Sequence, residues 1–118
     1  MENKIYKKLK EPEFEIIGSI LLISEGWIVG GSIQNIINDT AINDFDIIVP
    51  DRELFGKVIK LLSSIHQGYG INSYGGMKFQ VKELRIDIWC EELGDFIMCA
   101  NEFNYAYNYQ RNILIKNA

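Results

Sequence analysis

The chain is short of the features that would place it in several large functional classes. Its two cysteines, Cys90 and Cys99, are too few for a disulfide framework or a metal cluster, so reduced thiols are expected. Its one histidine, His66, follows a helical pattern, where the side chain ordinarily complements a helix C-terminus; it is assigned no role. Basic charge is in deficit: 12 Lys and Arg stand against 16 Asp and Glu, for a net charge of −4. That balance argues against non-specific nucleic-acid binding through a basic surface. Long hydrophobic runs are missing too. The most apolar stretch, residues 14–23, is short and interrupted, and residues 1–10 hold no apolar signal core, so no membrane span is expected and the cytoplasm is the expected compartment. No internal repeat, low-complexity tract or linker is evident.

What remains describes a folded domain. At 118 residues, with 47% hydrophobic and 24% charged residues, the chain has room for one core and is read as a single domain, 1–118. Pro12 and the acidic residues Glu11 and Glu13 open a helix expected over 11–25, with Gly26 as its C-cap. Residues 27–29 read as a strand, 32–38 as a short helix carrying Ile33, Ile36 and Ile37 on one side, and 44–49 as a second strand. Asp51 caps a helix whose apolar stripe is Leu54, Phe55, Val58, Leu61, Leu62 and Ile65, with Lys57 and Lys60 on a solvated face. Residues 68–76, with four glycines, read as a loop. A hairpin follows: Met77 to Val81, a turn at Lys82-Glu83, and Leu84 to Cys90. The tail, 101–115, fits a strand through Phe103, Tyr105, Tyr107 and Tyr109 or a helix through Phe103, Ala106, Tyr107 and Gln110, and ends strand-like at Ile113-Leu114-Ile115. Its aromatics admit base stacking, although tyrosines capping a core edge are commoner. The expected fold class is α/β (α+β), a mixed sheet backed by helices.

Chemistry concentrates in two stretches. Val29-Gly30-Gly31-Ser32 runs from a strand into a helix start, where glycines let backbone N–H groups approach an anion and the helix end offers unpaired donors. Ser32 can cap that helix, touch a phosphate, or both. Asp44-Phe45-Asp46 then puts two carboxylates on one face of a strand and Phe45 toward the core. Such carboxylates beside a phosphate-binding turn can hold divalent ions against a triphosphate. In the hairpin, Leu84, Ile86 and Ile88 alternate toward the core, leaving Arg85, Asp87 and Trp89 on the other face. Asp87 is either half of a surface pair with Arg85 or a third carboxylate beside Asp44 and Asp46.

Glycine pair, short helix, then Asp-x-Asp on a strand resembles the signature of the DNA polymerase β-type nucleotidyltransferase superfamily. Trp27-Ile28-Val29-Gly30-Gly31-Ser32-Ile33-Gln34-Asn35 resembles most the head domain of the poly(A) polymerase and tRNA nucleotidyltransferase group. That group reads Val-Gly-Gly-x-Val-Arg-Asp here, so Gln34 and Asn35 depart from it. Ser73-Tyr74-Gly75-Gly76 and Ile86-Asp87-Ile88-Trp89 are similar to stand-alone relatives of that domain. In Asn101-Glu102-Phe103-Asn104-Tyr105-Ala106, where the group has Arg-Asp-Phe-Thr-x-Asn-Ala, only Phe103 matches cleanly and the arginine is missing.

The resemblance implies a nucleotidyltransferase that moves a nucleoside monophosphate from an NTP to an acceptor hydroxyl on RNA, protein or a small molecule. It implies Mg²⁺ or Mn²⁺ on Asp44, Asp46 and Asp87, and a triphosphate on Gly30, Gly31 and Ser32. Arg85 would offset the triphosphate's charge or steer Asp87. The likeness ends where the head domain ends, which tells against a complete tRNA-CCA or poly(A) enzyme. The alternative expectation is an inactive, nucleotidyltransferase-like binding or regulatory module working with a partner protein. The acceptor and the oligomeric state, homo-oligomer included, stay open.

Overall fold

The structure, a computed structural model, describes residues 1–65, 68–71, 75–91 and 104–116. Its elements in order are α1 (Glu2–Leu9), a 3₁₀ turn (Pro12–Phe14), α2 (Glu15–Ser24), β1 (Trp27–Val29), α3 (Gly31–Ile37), β2 (Asp44–Val49) and α4 (Arg52–Ile65). Then come β3 (Gly68–Ile71), β4 (Met77–Val81), β5 (Leu84–Cys90), β6 (Tyr105–Asn108) and β7 (Ile113–Lys116). Among the described residues the strands form one sheet in the order β3-β4-β5-β2-β1-β6-β7. All neighbours are antiparallel except β2 and β5, so the sheet is mixed, as expected.

Strand alternation sorts the side chains onto two faces. Ile28, Phe45, Ile47, Phe79, Ile86, Ile88 and Tyr107 point to one face and are fully buried. They meet Ile5 and Leu9 of α1, Ile17 and Leu21 of α2, Ile33 of α3, and Val58 and Leu62 of α4 in one core. Burying such a side chain stabilises the fold by about 1.5–3 kcal/mol, so this face anchors everything on the other. The opposite face is divided. Val29, Ile48, Trp89 and Ala106 form a smaller buried cluster with Trp27 packed against it, and the charged residues of β2, β4 and β5 lie beside it.

Several expectations need correcting. The first helical region is three pieces: α1, absent from the sequence reading, then the 3₁₀ turn at Pro12, then α2. The turn at Lys10–Glu11 and the fixed φ of Pro12 interrupt the helix. Gly26 is not the left-handed cap; Glu25 takes that conformation (φ 55°). Gly26 is small for another reason: a Cβ there would sit 2.7 Å from Ser24 Oγ and 3.1 Å from Ile47 Cγ2. Leu22 and Ile23 of α2 are exposed, and Leu61 lies outside the buried stripe of α4. The glycine-rich loop contains β3, an edge strand paired with β4. The tail is a hairpin, so the strand alternation prevailed over the helical one. Its tyrosines cap the core and do not offer stacking faces: Tyr107 is buried and donates its hydroxyl to Asn112 Oδ1 at 2.6 Å, and Tyr109 stacks on Tyr6 of α1.

Asp51 does cap α4, accepting from the Leu54 N–H at 2.9 Å. The β4–β5 hairpin has the expected bounds and turn. No described helix is long and apolar enough to cross a membrane. His66, Ser73, Tyr74, Cys99, Asn101 and Phe103 lie outside the described residues.

Candidate active site

The site is built by register. β2 and β5 run parallel with Asp44 opposite Arg85 and Asp46 opposite Asp87. Opposed residues share a face at about 4.8 Å strand spacing, so two charged rows cross the sheet two residues apart. The strands hold this register because Phe45 and Ile47 on β2, and Ile86 and Ile88 on β5, are locked in the core on the other side; a one-residue slip would bury the carboxylates.

In the first row Arg85 grips Asp44 with two nitrogens, Nε to Oδ1 at 2.7 Å and Nη2 to Oδ2 at 3.3 Å. Both side chains are more than half exposed. Arg85 was expected to serve the triphosphate or Asp87, or to pair with Asp87 at the surface; it pairs with Asp44. In the second row, burial first and the neighbouring carboxylates second push the Asp46 carboxyl up to about 6, and burial also raises that of Asp87. One oxygen of Asp87, Oδ1, is buried with no hydrogen-bond partner.

The glycine turn closes onto this pair. Val29 is opposite Asp46 across β1–β2, so Gly30 follows one residue past the carboxylate. Gly30 has φ 83°, and a Cβ there would lie 2.7 Å from Asp46 Oδ2. Only glycine combines that backbone with that approach. Gly31 begins α3 and has open space around the position of a Cβ. Ser32 does not cap the helix: Gly30 is the cap residue, no side-chain cap bond is present, and Ser32 Oγ is buried without a partner.

Sequence reasoning missed Lys78. It lies on β4 opposite Asp87, half-buried on the same face, and its charge lowers the pKa of both Asp87 and Asp46. The signal was available: counting back from the two-residue turn at Lys82-Glu83 pairs residue 78 with residue 87.

Gly30, Gly31, Ser32, Asp46 and Asp87 are thus gathered at one place, with Asp44 and Arg85 one row away. Together they make a glycine turn, a short helix and paired aspartates on one face of a mixed sheet. No protein-family model and no curated protein matches the chain by sequence. Solved structures match by fold. A CCA-adding enzyme in complex with CTP superposes with TM-score 0.67 at 16% identity, over 98% of this chain and 31% of that one. The Thermotoga maritima CCA-adding enzyme complexed with tRNA gives 0.63 at 15%, over 97% and 31%. A tRNA nucleotidyltransferase with a primer tRNA and an incoming ATP analogue gives 0.60 at 15%, over 82% and 34%. The chain spans about a third of the length of these proteins, and at such identity the likeness establishes the fold.

Proposed function

We propose that this domain transfers a nucleoside monophosphate from an NTP to an acceptor hydroxyl. The observation that carries the reading is the pairing of Asp46 with Asp87 directly beside the Gly30–Gly31 turn. Two carboxylates set side by side repel one another unless protonated or bridged by a cation.

A divalent cation, Mg²⁺ or Mn²⁺, suits that pair. The donors are hard oxygens, and Asp87 Oδ1 is a buried acceptor without a partner. Asp44 fits less directly, because Arg85 already holds it. Among the described residues no three Asp, Glu, His or Cys side chains form a ready cation site. Asp46 and Asp87 are therefore the principal ligands in this reading, and Asp44 joins when Arg85 lets go. When bound, the ion would screen charge on the phosphates and acidify the acceptor hydroxyl.

The chain's own residues do the rest. The open position at Gly31, the α3 N-terminus and the partnerless Ser32 hydroxyl receive the triphosphate. Arg85, freed from Asp44, offsets its charge. The acceptor oxygen forms a bond to the α-phosphorus, the bond from that phosphorus to the bridging oxygen breaks, and pyrophosphate leaves. The hydroxyl proton is released to solvent. The cytoplasm, where NTPs are at hand, is the compartment this reading takes.

The second reading is an NTP-binding regulatory module without transfer, working with a partner protein. It is favoured by the Arg85–Asp44 pair and by Gln34 and Asn35, which replace charged residues of the related group. One experiment separates the two: thermal stabilisation by each NTP with Mg²⁺ or Mn²⁺, together with pyrophosphate release in the presence of candidate acceptors. Stabilisation with release supports transfer. Stabilisation without release from any acceptor supports the module, and no stabilisation by any NTP overturns both.

A further inference from the structure

The second row continues beyond the aspartates on both sides. In order across the open face stand Lys78 on β4, Asp87 on β5, Asp46 on β2 and Val29 on β1, the last leading into Gly30. The carboxylates therefore lie between two different ends. At one is the turn that receives the triphosphate in the proposed function. At the other is a lysine.

Among the described residues Lys78 combines partial burial with the lack of an ion pair, unlike the paired cations. Lys4 is paired with Asp39, Lys8 with Glu11 and Arg85 with Asp44. Lys78 has no carboxylate within 4.0 Å among the described residues, although it is half-buried on the face that holds Asp87 and Asp46. Its stem runs past Gly70 on the edge strand, where Cδ lies 3.9 Å from the position of an absent Cβ. Gly70 thus leaves the outer side of the lysine uncovered by any side chain of its own. Lys78 faces Asp87 and Asp46, whose pKa values it lowers, but closes no ion pair with either, so ammonium donors are left for a ligand anion.

The geometry of the transfer says which ligand. In an in-line displacement the attacking hydroxyl enters opposite the leaving pyrophosphate. With the triphosphate at Gly30–Ser32, the acceptor approaches from the side of Asp87 and Lys78. We propose that Lys78 binds the acceptor, through a phosphate group carried a few bonds from its attacking hydroxyl. The acceptor is then a phosphate-bearing hydroxyl compound, such as a free nucleotide or a polynucleotide end, and not an uncharged alcohol. This rests on the transfer reading for which end is which, but the anion site at Lys78 is testable without it.

The test uses AMP, a short oligoribonucleotide with a free 3′ hydroxyl, and adenosine as probes. Each is titrated by NMR into wild type, Lys78→Met, Lys78→Gln and Lys78→Arg, with and without a saturating non-hydrolysable ATP analogue and Mg²⁺. AMP or the oligonucleotide is expected to bind wild type alongside the analogue. Lys78→Met and Lys78→Gln should weaken that binding about tenfold or more, Lys78→Arg should restore most of it, and analogue affinity should hold. Binding by AMP points to a free nucleotide, and binding by the oligonucleotide alone points to a chain end. The proposal is overturned if adenosine binds as well as AMP, if neither phosphate-bearing probe binds wild type, or if the neutral variants bind within twofold of it. It is also overturned if those variants lose the ATP analogue instead, which would give Lys78 to the triphosphate. A wild type that ignores the analogue defeats the transfer reading, while the titrations without it still decide Lys78.

Discussion

Two acidic residues of one strand, Asp44 and Asp46, share a face and meet opposite circumstances. Asp44 is exposed and held by two nitrogens of Arg85; Asp46 is half-buried and faces another aspartate. The first pair is satisfied as it stands, an ion pair in water worth about 0–1 kcal/mol. The second is unsatisfied, and burial and repulsion make ionisation costly there. Alternation on a strand explains why both point the same way, but the neighbouring strand decides which one is neutralised. The row that stores repulsion is the one against which the glycine turn is pressed, and stored electrostatic cost of this kind marks functional sites more often than structural ones.

The largest break in this comparison is Gly30→Ala. Asp46 Oδ2 occupies the space its methyl group would need, and φ is 83°. The variant is expected to lose about 3 kcal/mol of stability, from backbone strain together with displacement of Asp46. Urea unfolding would measure it. A loss below about 1 kcal/mol would mean the turn is not pressed against the carboxylate.

Next is ligand-linked stability. At a hundred times its Kd, a Mg²⁺-bound NTP should add about 2.7 kcal/mol to wild type. In Asp46→Asn that gain should vanish.

Without metal or nucleotide the same substitution should do the reverse. A folded pKa raised to about 6 from 3.8 means the folded protein holds a proton that the unfolded chain has released. That contribution is fully present below about pH 4 and is lost as pH rises through about 6. In EDTA, Asp46→Asn should therefore be more stable than wild type at pH 7, by about 1–2 kcal/mol after allowance for solvent screening, and the difference should shrink toward pH 4. Asp44→Asn should show the opposite sign at pH 7, a loss of up to about 1 kcal/mol, because it breaks the Arg85 pair. Equal signs for the two variants would remove the distinction between the rows.

How much of this was legible in the sequence follows from the range of each signal. Alternation over 44–49 and 84–90 placed Asp44, Asp46 and Asp87 on core-opposed faces because Phe45, Ile47, Ile86 and Ile88 alternate with them into the main core. The partnership of Arg85 was not legible, since the parallel register of β2 and β5 is set by core packing across 41 residues of chain. Lys78 was legible but unread: the hairpin turn fixes its opposition to Asp87 locally. α1 went unseen because the reading of its residues turned on targeting signals, although Ile5 and Leu9 have helical spacing and are buried. The tail's ambiguity was real, with both periodicities present, and pairing with β1 decided it.

The smallest expected effect sharpens the comparison most. Gly31 adjoins Gly30 but has open space where a Cβ would go and no positive φ. Alanine at this first helical position should leave the unliganded protein as stable or raise it by a few tenths of a kcal/mol, since alanine loses less backbone entropy on folding. The added methyl group projects into the space proposed for the phosphates, so affinity for Mg²⁺-bound ATP should fall while the melting temperature in EDTA does not. The two adjacent glycines then separate by cause, Gly30 constrained by the fold and Gly31 by the ligand. If Gly31→Ala binds ATP as tightly as wild type, the triphosphate does not lie at the α3 N-terminus, and the charged row alone would have to hold it.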